Sequence, residues 1–183
     1  MTGLSDMIAF DPCGLVETEP LALAPRMRCL DGLRLGVLDN TKWNANRLLR
    51  KTVENLQQQF SFATVNCYRK ASFSKDAGPG LIETIAANSD IVLTAIGDCG
   101  SCTSCCTHDG IRLEALGRPT AVIVTAEFLH EAEVQRDALG MRDLVPVVID
   151  HPLSTLTEAE IEARAGQAVG QCIAIWRGDR MRE

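Results

Sequence analysis

With 183 residues the chain has room for one domain with a real hydrophobic core. Its residues are 46% hydrophobic and 23% charged, and its net charge of −6 excludes nucleic acid as a general partner, because phosphate binding wants clustered Lys and Arg. No apolar run approaches the roughly 18 residues of a membrane helix, which excludes a membrane partner of that kind. Asp6 and Asp11 stand where a secretory signal would have a basic start and an apolar block, so a cytoplasmic protein is expected. Outside an oxidising compartment, eight cysteines point to metal binding or chemistry rather than to a disulfide scaffold. Cys13, Cys29, Cys67 and Cys172 occur singly and are expected as small buried apolar residues.

Residues 1–31 lack periodicity and are punctuated by Pro12, Pro20 and Pro25. They predict an extended arm that either crosses its own domain or packs on a second subunit. A regular alternation then occupies residues 32–183, read as a single α/β domain. Residues 33–38 predict a first strand ending at Asp39-Asn40, and 44–58 a helix with Ala45, Leu48, Leu49, Val53 and Leu56 at helical spacing. Residues 62–67 predict the second strand, 81–87 a short helix, and the β-branched run 91–96 a buried third strand. A cysteine-rich turn follows, then helix over 111–116 ended by Gly117. Residues 119–124 predict the fourth strand, 127–139 a helix, and 144–149 a fifth strand in which Pro146 suits an edge position. Thr157 and Glu160 form a capping signal for a last helix that carries Ile161, Ala165, Ala168, Val169, Cys172, Ile173 and Trp176 on its apolar face. Five βα units in series imply a doubly wound, flavodoxin-like αβα sandwich with a five-stranded parallel sheet of order 2-1-3-4-5. In that order the loops after strands one and three flank the switch point where ligands bind.

Those two loops carry the chemistry-bearing residues. After strand three comes Gly97-Asp98-Cys99-Gly100-Ser101-Cys102-Thr103-Ser104-Cys105-Cys106-Thr107-His108-Asp109. Gly97 and Gly100 permit a sharp turn, and the amides and dipole at the start of a helix favour a thiolate. Three readings follow. Cys99 and Cys102 can be a C-x-x-C pair, the first a nucleophile and the second its resolving or assisting partner. Cys99, Cys102, Cys106 and His151 can be the ligands of zinc or iron, although all but His151 lie on one piece of chain, unlike the two separated knuckles zinc usually uses. Or only the turn is special, with Cys105 and Cys106 as small core residues and His108 on the surface. Around the turn, Asp98 is a candidate acid or base, or a helix cap. His151, at the same sheet edge, suits a general acid or base. Asn40 could donate to an oxyanion, while Lys42 could hold an anionic group or depress the Cys99 pKa. Asn44, Gly100, Ser101, Thr125 and Glu127 complete the candidate substrate-binding set, with Glu127 equally suited to a helix first turn.

The run Gly97-Asp98-Cys99-Gly100-Ser101-Cys102-Thr103, following Asp90-Ile91-Val92-Leu93-Thr94, resembles the UGSC family, named for a motif in which some members carry selenocysteine first. Further similarity lies in Asp11-Pro12, Leu23-Ala24-Pro25-Arg26, Leu35 to Asn40 with Lys42, Asn44 and Ala45, His108-Asp109, Glu114 with Gly117 to Thr120, Thr125 with Glu127-Phe128, and His151-Pro152-Leu153. The resemblance implies that Cys99 stands where other members place selenocysteine, and hence a reactive position. The family is also distantly similar to the selenoprotein components of glycine and proline reductases. Cys105-Cys106 and Trp43 depart from the family pattern. The expected protein is a homodimeric, thiol-dependent enzyme that acts on a small electrophilic substrate by reductive cleavage or C–S bond chemistry. It would need no cofactor beyond a thiol reductant. A zinc or iron protein and a two-thiol, racemase-like proton-transfer enzyme are the alternatives.

Overall fold

The computed structural model describes residues 18–179. Five parallel strands, β1 (Arg34–Asp39), β2 (Thr64–Arg69), β3 (Ile91–Gly97), β4 (Thr120–Thr125) and β5 (Val147–Ile149), lie in the order β2-β1-β3-β4-β5. The helices are α1 (Ala45–Gln57), α2 (Pro79–Asn88), α3 (Gly100–Ala115), α4 (Leu129–Ala138) and α5 (Glu158–Arg177), with a 3₁₀ turn at Ala126–Phe128. The architecture is the flavodoxin-like sandwich that the alternation predicts. β3 and β4 are buried along their whole lengths because helices cover both faces, which is why they read as continuous apolar runs. Leu48, Leu49 and Leu56 of α1 and Ile161, Ala165, Ala168 and Trp176 of α5 close one face over Val37, Leu93, Ala95, Ile123 and Ile149. Leu38 and Val92 meet Ile82, Ile85 and Leu113 on the other. The Trp176 indole N–H donates to the Val92 carbonyl at 3.0 Å, so even this interior ring has its polar group paired. No helix among the described residues is long and apolar enough to cross a membrane.

Element boundaries depart from the sequence pattern in instructive places. β2 begins two residues later than its hydrophobic onset, because Phe60 and Phe62 pack on each other and against the core below the sheet, with ring centroids 6.4 Å apart. β5 keeps only its last three predicted residues: Pro146 precedes it, and Leu144 joins Ile111 and Met141 in a separate cluster. α2 starts earlier, with Pro79 in its first turn. The Thr157–Glu160 capping box forms as read, with the Thr157 N–H donating to the Glu160 carboxylate at 2.8 Å. Cys172 is buried as expected, but Cys29 and Cys67 are exposed. Cys67 sits on edge strand β2, over which no helix closes. Cys13 and Asp11-Pro12 lie outside the described residues.

From Thr18 to Asp31 the arm crosses its own domain. The Leu21 N–H donates to the Gly140 carbonyl at 2.8 Å, and the Met27 N–H to the Trp176 carbonyl at 2.8 Å. The buried Glu114 carboxylate at the end of α3 is the clasp. It accepts from the Ala24 N–H (2.8 Å), the Arg26 guanidinium (2.7 Å) and the Thr120 N–H (2.7 Å), joining arm, helix and the start of β4. Breaking a buried, hydrogen-bonded charge leaves its partners unsatisfied. Glu114→Ala is therefore expected to cost about 3 kcal/mol and lower Tm by roughly 6–12 °C in a thermal melt. An unchanged Tm would show that the arm is not clasped there.

Candidate active site

β3 ends at Gly97, and after two intervening residues α3 begins. A Cβ on Gly97 would lie 2.6 Å from the Thr103 hydroxyl and 2.9 Å from Val124, so only glycine lets the strand and helix meet this closely. Cys99 is the N-cap of α3, its sulfur accepting from the Cys102 N–H at 3.4 Å. The Cys102 sulfur in turn accepts from the Asp98 N–H at 3.2 Å and lies 3.2 Å from the Cys99 carbonyl oxygen. The two sulfurs are 2.7 Å apart, with Cys99 half-buried and Cys102 fully buried.

The two thiols are driven in opposite directions. Burial works against ionisation of Cys99, but the Cys102 thiol, the Cys102 amide, the Ser101 hydroxyl and the Lys42 charge together outweigh it and hold Cys99 below the usual thiol range. Burial pushes Cys102 up to about 12, and its hydrogen bond to the neighbouring sulfur adds to the effect. Ionisation is eased at one sulfur and opposed at its partner beside it.

Asp98 neither caps α3 nor faces the thiols through its carboxylate. Its side chain accepts from the Leu153 N–H, at 3.3 Å to each oxygen, and lies 3.0 Å from His151 Nδ1. That nitrogen is also 3.0 Å from the Thr125 hydroxyl, which donates to the Gly97 carbonyl at 3.3 Å. The Phe128 ring packs 5.8 Å from the imidazole, centroid to centroid. With Nδ1 engaged by Asp98 and Thr125, Nε2 is the nitrogen left to exchange protons. Asp98 and Thr125 are thus orienters of His151. Glu127, the last of the candidate substrate-binding residues, stands exposed on the 3₁₀ turn and makes no hydrogen bond to this group of side chains.

Two asparagines turn out to be rivets. Asn40 is fully buried: its amide donates to the Ile96 carbonyl (2.9 Å) and the Cys106 sulfur (3.1 Å), and its oxygen accepts from the Lys42 N–H (3.2 Å). Both amide hydrogens are engaged, which removes Asn40 as an oxyanion donor. Asn44, in a left-handed conformation with φ 64°, donates to the carbonyls of Leu153 (3.0 Å) and Ser154 (3.3 Å), tying the start of α1 to the His151 loop. Gly100 forms the first turn of α3, and the Ser101 hydroxyl is 3.7 Å from the Cys99 sulfur. Lys42 Nζ lies over the Phe73 ring, 4.6 Å from its centroid.

The remaining cysteines are not part of this pair. Cys106 is fully buried against Val122, Val124 and Ala132, and burial drives its thiol well above the usual range. Cys105 is half-buried, and burial together with the Asp76 carboxylate pushes it up to about 11. His108 pairs at the surface with Asp76. Asp109 accepts from Lys70 in a buried ion pair, and from the Ala77 N–H at 2.8 Å. Among the described residues no three His, Cys, Asp or Glu side chains come together as a metal site would need. The four proposed ligands Cys99, Cys102, Cys106 and His151 are not assembled, because Cys106 faces Asn40 and His151 faces Asp98. Sequence reasoning missed Phe73, Lys70 and Arg69. The only trace of them is the polar loop after β2, whose fold back over the β1 turn no local pattern announces.

A family model for the UGSC family matches residues 8–178. No curated protein matches the chain. Among solved structures, a short-chain flavodoxin associated with a PDU bacterial microcompartment matches at 11% identity, over 76% of this chain and 99% of that chain, with a TM-score of 0.36.

The sulfur geometry sets the pH dependence of alkylation. Only the thiolate reacts, so the Cys99 rate should climb with pH and level off below the pH of about 8.5 expected for an ordinary thiol. Removing the donor thiol in Cys102→Ala should move that midpoint upward. Mass spectrometry of the Cys99 peptide after timed iodoacetamide exposure reads both; a midpoint indifferent to Cys102 would contradict the sulfur–sulfur hydrogen bond.

Proposed function

The chain belongs to the UGSC family, and we propose that it is a thiol-dependent enzyme in which Cys99 attacks a small electrophilic substrate and Cys102 resolves the adduct. The observation that carries this reading is the sulfur pair itself: two thiols 2.7 Å apart, one pushed toward ionisation and the other away from it. For a substrate R–X, the Cys99 thiolate forms an S–R bond and X leaves with the bonding electrons. The Cys102 thiol then attacks the Cys99 sulfur and gives up its proton. The disulfide forms, R departs with the electron pair of the broken S–R bond, and a proton converts it to R–H. The substrate has gained two electrons and the two thiols have lost them. A small-molecule or protein dithiol reductant then restores the pair. Where R is instead passed on or hydrolysed from Cys99, the same nucleophile does C–S bond chemistry without net oxidation.

His151 supports the reading as the proton carrier, since its ring is oriented by Asp98 and Thr125 at the same edge of the sheet. The adjacency of the two sulfurs favours electron-pair transfer over racemase-like proton transfer, which wants two bases on opposite faces of one carbon. A dithiol-dependent cycle fits a reducing compartment, and we place the protein in the cytoplasm, as a homodimer.

The aromatic disulfide 5,5′-dithiobis(2-nitrobenzoate) tests the two roles separately. In a Cys13→Ser, Cys29→Ser, Cys67→Ser background, Cys99 should displace one thionitrobenzoate in a fast phase and Cys102 should displace the second from the mixed disulfide. Two chromophores would then be released for each Cys99–Cys102 disulfide formed. Cys102→Ser should stop after one and retain the adduct at Cys99 by mass. Persistence of the fast phase in Cys99→Ser would overturn the assignment of the nucleophile.

A further inference from the structure

We infer that the substrate carries an anionic group, held beside Cys99 by Lys42 and Arg69 in the cleft at the Phe73 ring. The inference rests on the reading of Cys99 as nucleophile and adds to it the chemical class of the substrate. A cleft of about 660 Å³ opens between the turn after β1 and the segment after β2, lined by Thr41, Arg69, Lys70, Ala71, Ser72 and Phe73. Its cations differ in how far they are already neutralised. Lys70 is buried and paired with Asp109, whose other oxygen accepts from the Ala77 N–H. That pair is a staple: it pins the Ala71–Ala77 segment to α3 and sets where Phe73 stands. Its charge does not face an incoming ligand unopposed.

Arg69 and Lys42 are different. The Arg69 side chain is 75% exposed, and its one carboxylate neighbour among the described residues, Asp39, is at 3.9 Å. That carboxylate already accepts the Thr41 N–H at 2.7 Å. Lys42 rests its ammonium against the face of Phe73 and is paired with no carboxylate among the described residues. An aromatic face holds a cation on one side and leaves its other N–H groups free to bind. In a chain of net charge −6, two under-neutralised cations, Arg69 in the lining of the cleft and Lys42 against the Phe73 ring that also lines it, are a local reversal of sign. Arg69 offers the planar fork that matches a carboxylate or phosphate, Lys42 a point charge, and Phe73 an apolar wall in the same cleft.

Lys42 also ties the cleft to the chemistry. Asn40, two residues before it, donates to the Ile96 carbonyl near the end of β3, so the Lys42 turn stands beside the strand end that leads into Cys99; the ammonium rests against Phe73, and its charge favours the ionised form of Cys99. A group bound to Lys42 therefore brings the remainder of a small molecule toward Cys99. The Asn40 oxygen, which accepts the Lys42 N–H, anchors the backbone from which this side chain projects.

Iodoacetate and iodoacetamide test the cleft directly. Each forms an Sγ–CH₂ bond at Cys99 and expels iodide, and they differ in one carboxylate. The rate ratio of iodoacetate to iodoacetamide is measured on the Cys99 peptide by mass spectrometry, in the native protein and in the urea-unfolded chain. The native ratio should exceed the unfolded one by at least about fivefold at low salt and shrink as salt is added. Arg69→Gln and Lys42→Gln should each bring it down at least about threefold, and Arg69→Lys should retain part of it. A native ratio at or below the unfolded value, or one that neither substitution changes, overturns the anionic-substrate inference. If Cys99 then still reacts faster with iodoacetamide than Cys29 does, the nucleophile reading survives alone. If it does not, both fall together.

Discussion

Between Gly97 and Gly100 the backbone leaves a strand buried on both faces and enters a helix, and the amides freed by that change of direction must find partners. Sulfur supplies them. The Asp98 N–H donates to the Cys102 sulfur and the Cys102 N–H to the Cys99 sulfur, so the two thiols complete the start of α3 as well as facing each other. Removing charge from the Cys99 sulfur weakens a helix cap, and strengthening the cap stabilises the thiolate. Structure and reactivity are here one set of hydrogen bonds. The tight approach of Thr103 and Val124 to Gly97 keeps the seam closed and leaves little slack in where the sulfurs lie.

The loops that surround this seam are fixed by buried polar side chains rather than by the sheet. Asn40 joins the β1 turn to the end of β3 and to Cys106; Asn44 joins the start of α1 to the carbonyls after His151; Asp98 holds Leu153 and the imidazole. Lys70 and Asp109 do the same for the segment that carries Phe73. Buried amides and charges are costly unless they are paired, and each of these is paired with a group on another element or loop. The result is a sheet edge where three loops keep fixed positions around one half-exposed sulfur, a condition for orienting a small substrate.

Several residue types that invite a catalytic reading therefore serve placement instead. Asn40 has the chemistry of an oxyanion donor, but both its amide hydrogens are engaged. Asp98 has the chemistry of a base for the adjacent thiol, but its carboxylate turns toward the loop of β5. Cys106 has the chemistry of a metal ligand, but it lies among Val122, Val124 and Ala132. His151 keeps an uncommitted ring nitrogen, and Cys99 keeps an exposed edge. On these two, with Lys42, the proposed chemistry at this edge rests.

The strand–helix alternation, the helix faces and the position of the cysteine turn were legible in the chain itself, because each depends on short-range periodicity; the strand order followed only as the expected way to wind five βα units. The β-branched run from Ile91 to Ile96, bounded by Gly97, reads as a strand covered on both sides, and the Thr157–Glu160 box reads as the start of a helix. The strand-to-helix reading likewise puts Cys99 just before the first turn of α3 and Cys102 within it, where the structure has them. What the chain could not disclose was decided by contacts between residues far apart in sequence: the 56-residue separation of Asn40 from Ile96, the 55-residue separation of Asp98 from Leu153, and the meeting of Lys42 with Phe73. Asn, Asp and Lys have no fixed role of their own. Whether such a group acts on a substrate or holds a loop depends on which donors and acceptors it meets, and only the folded chain determines that.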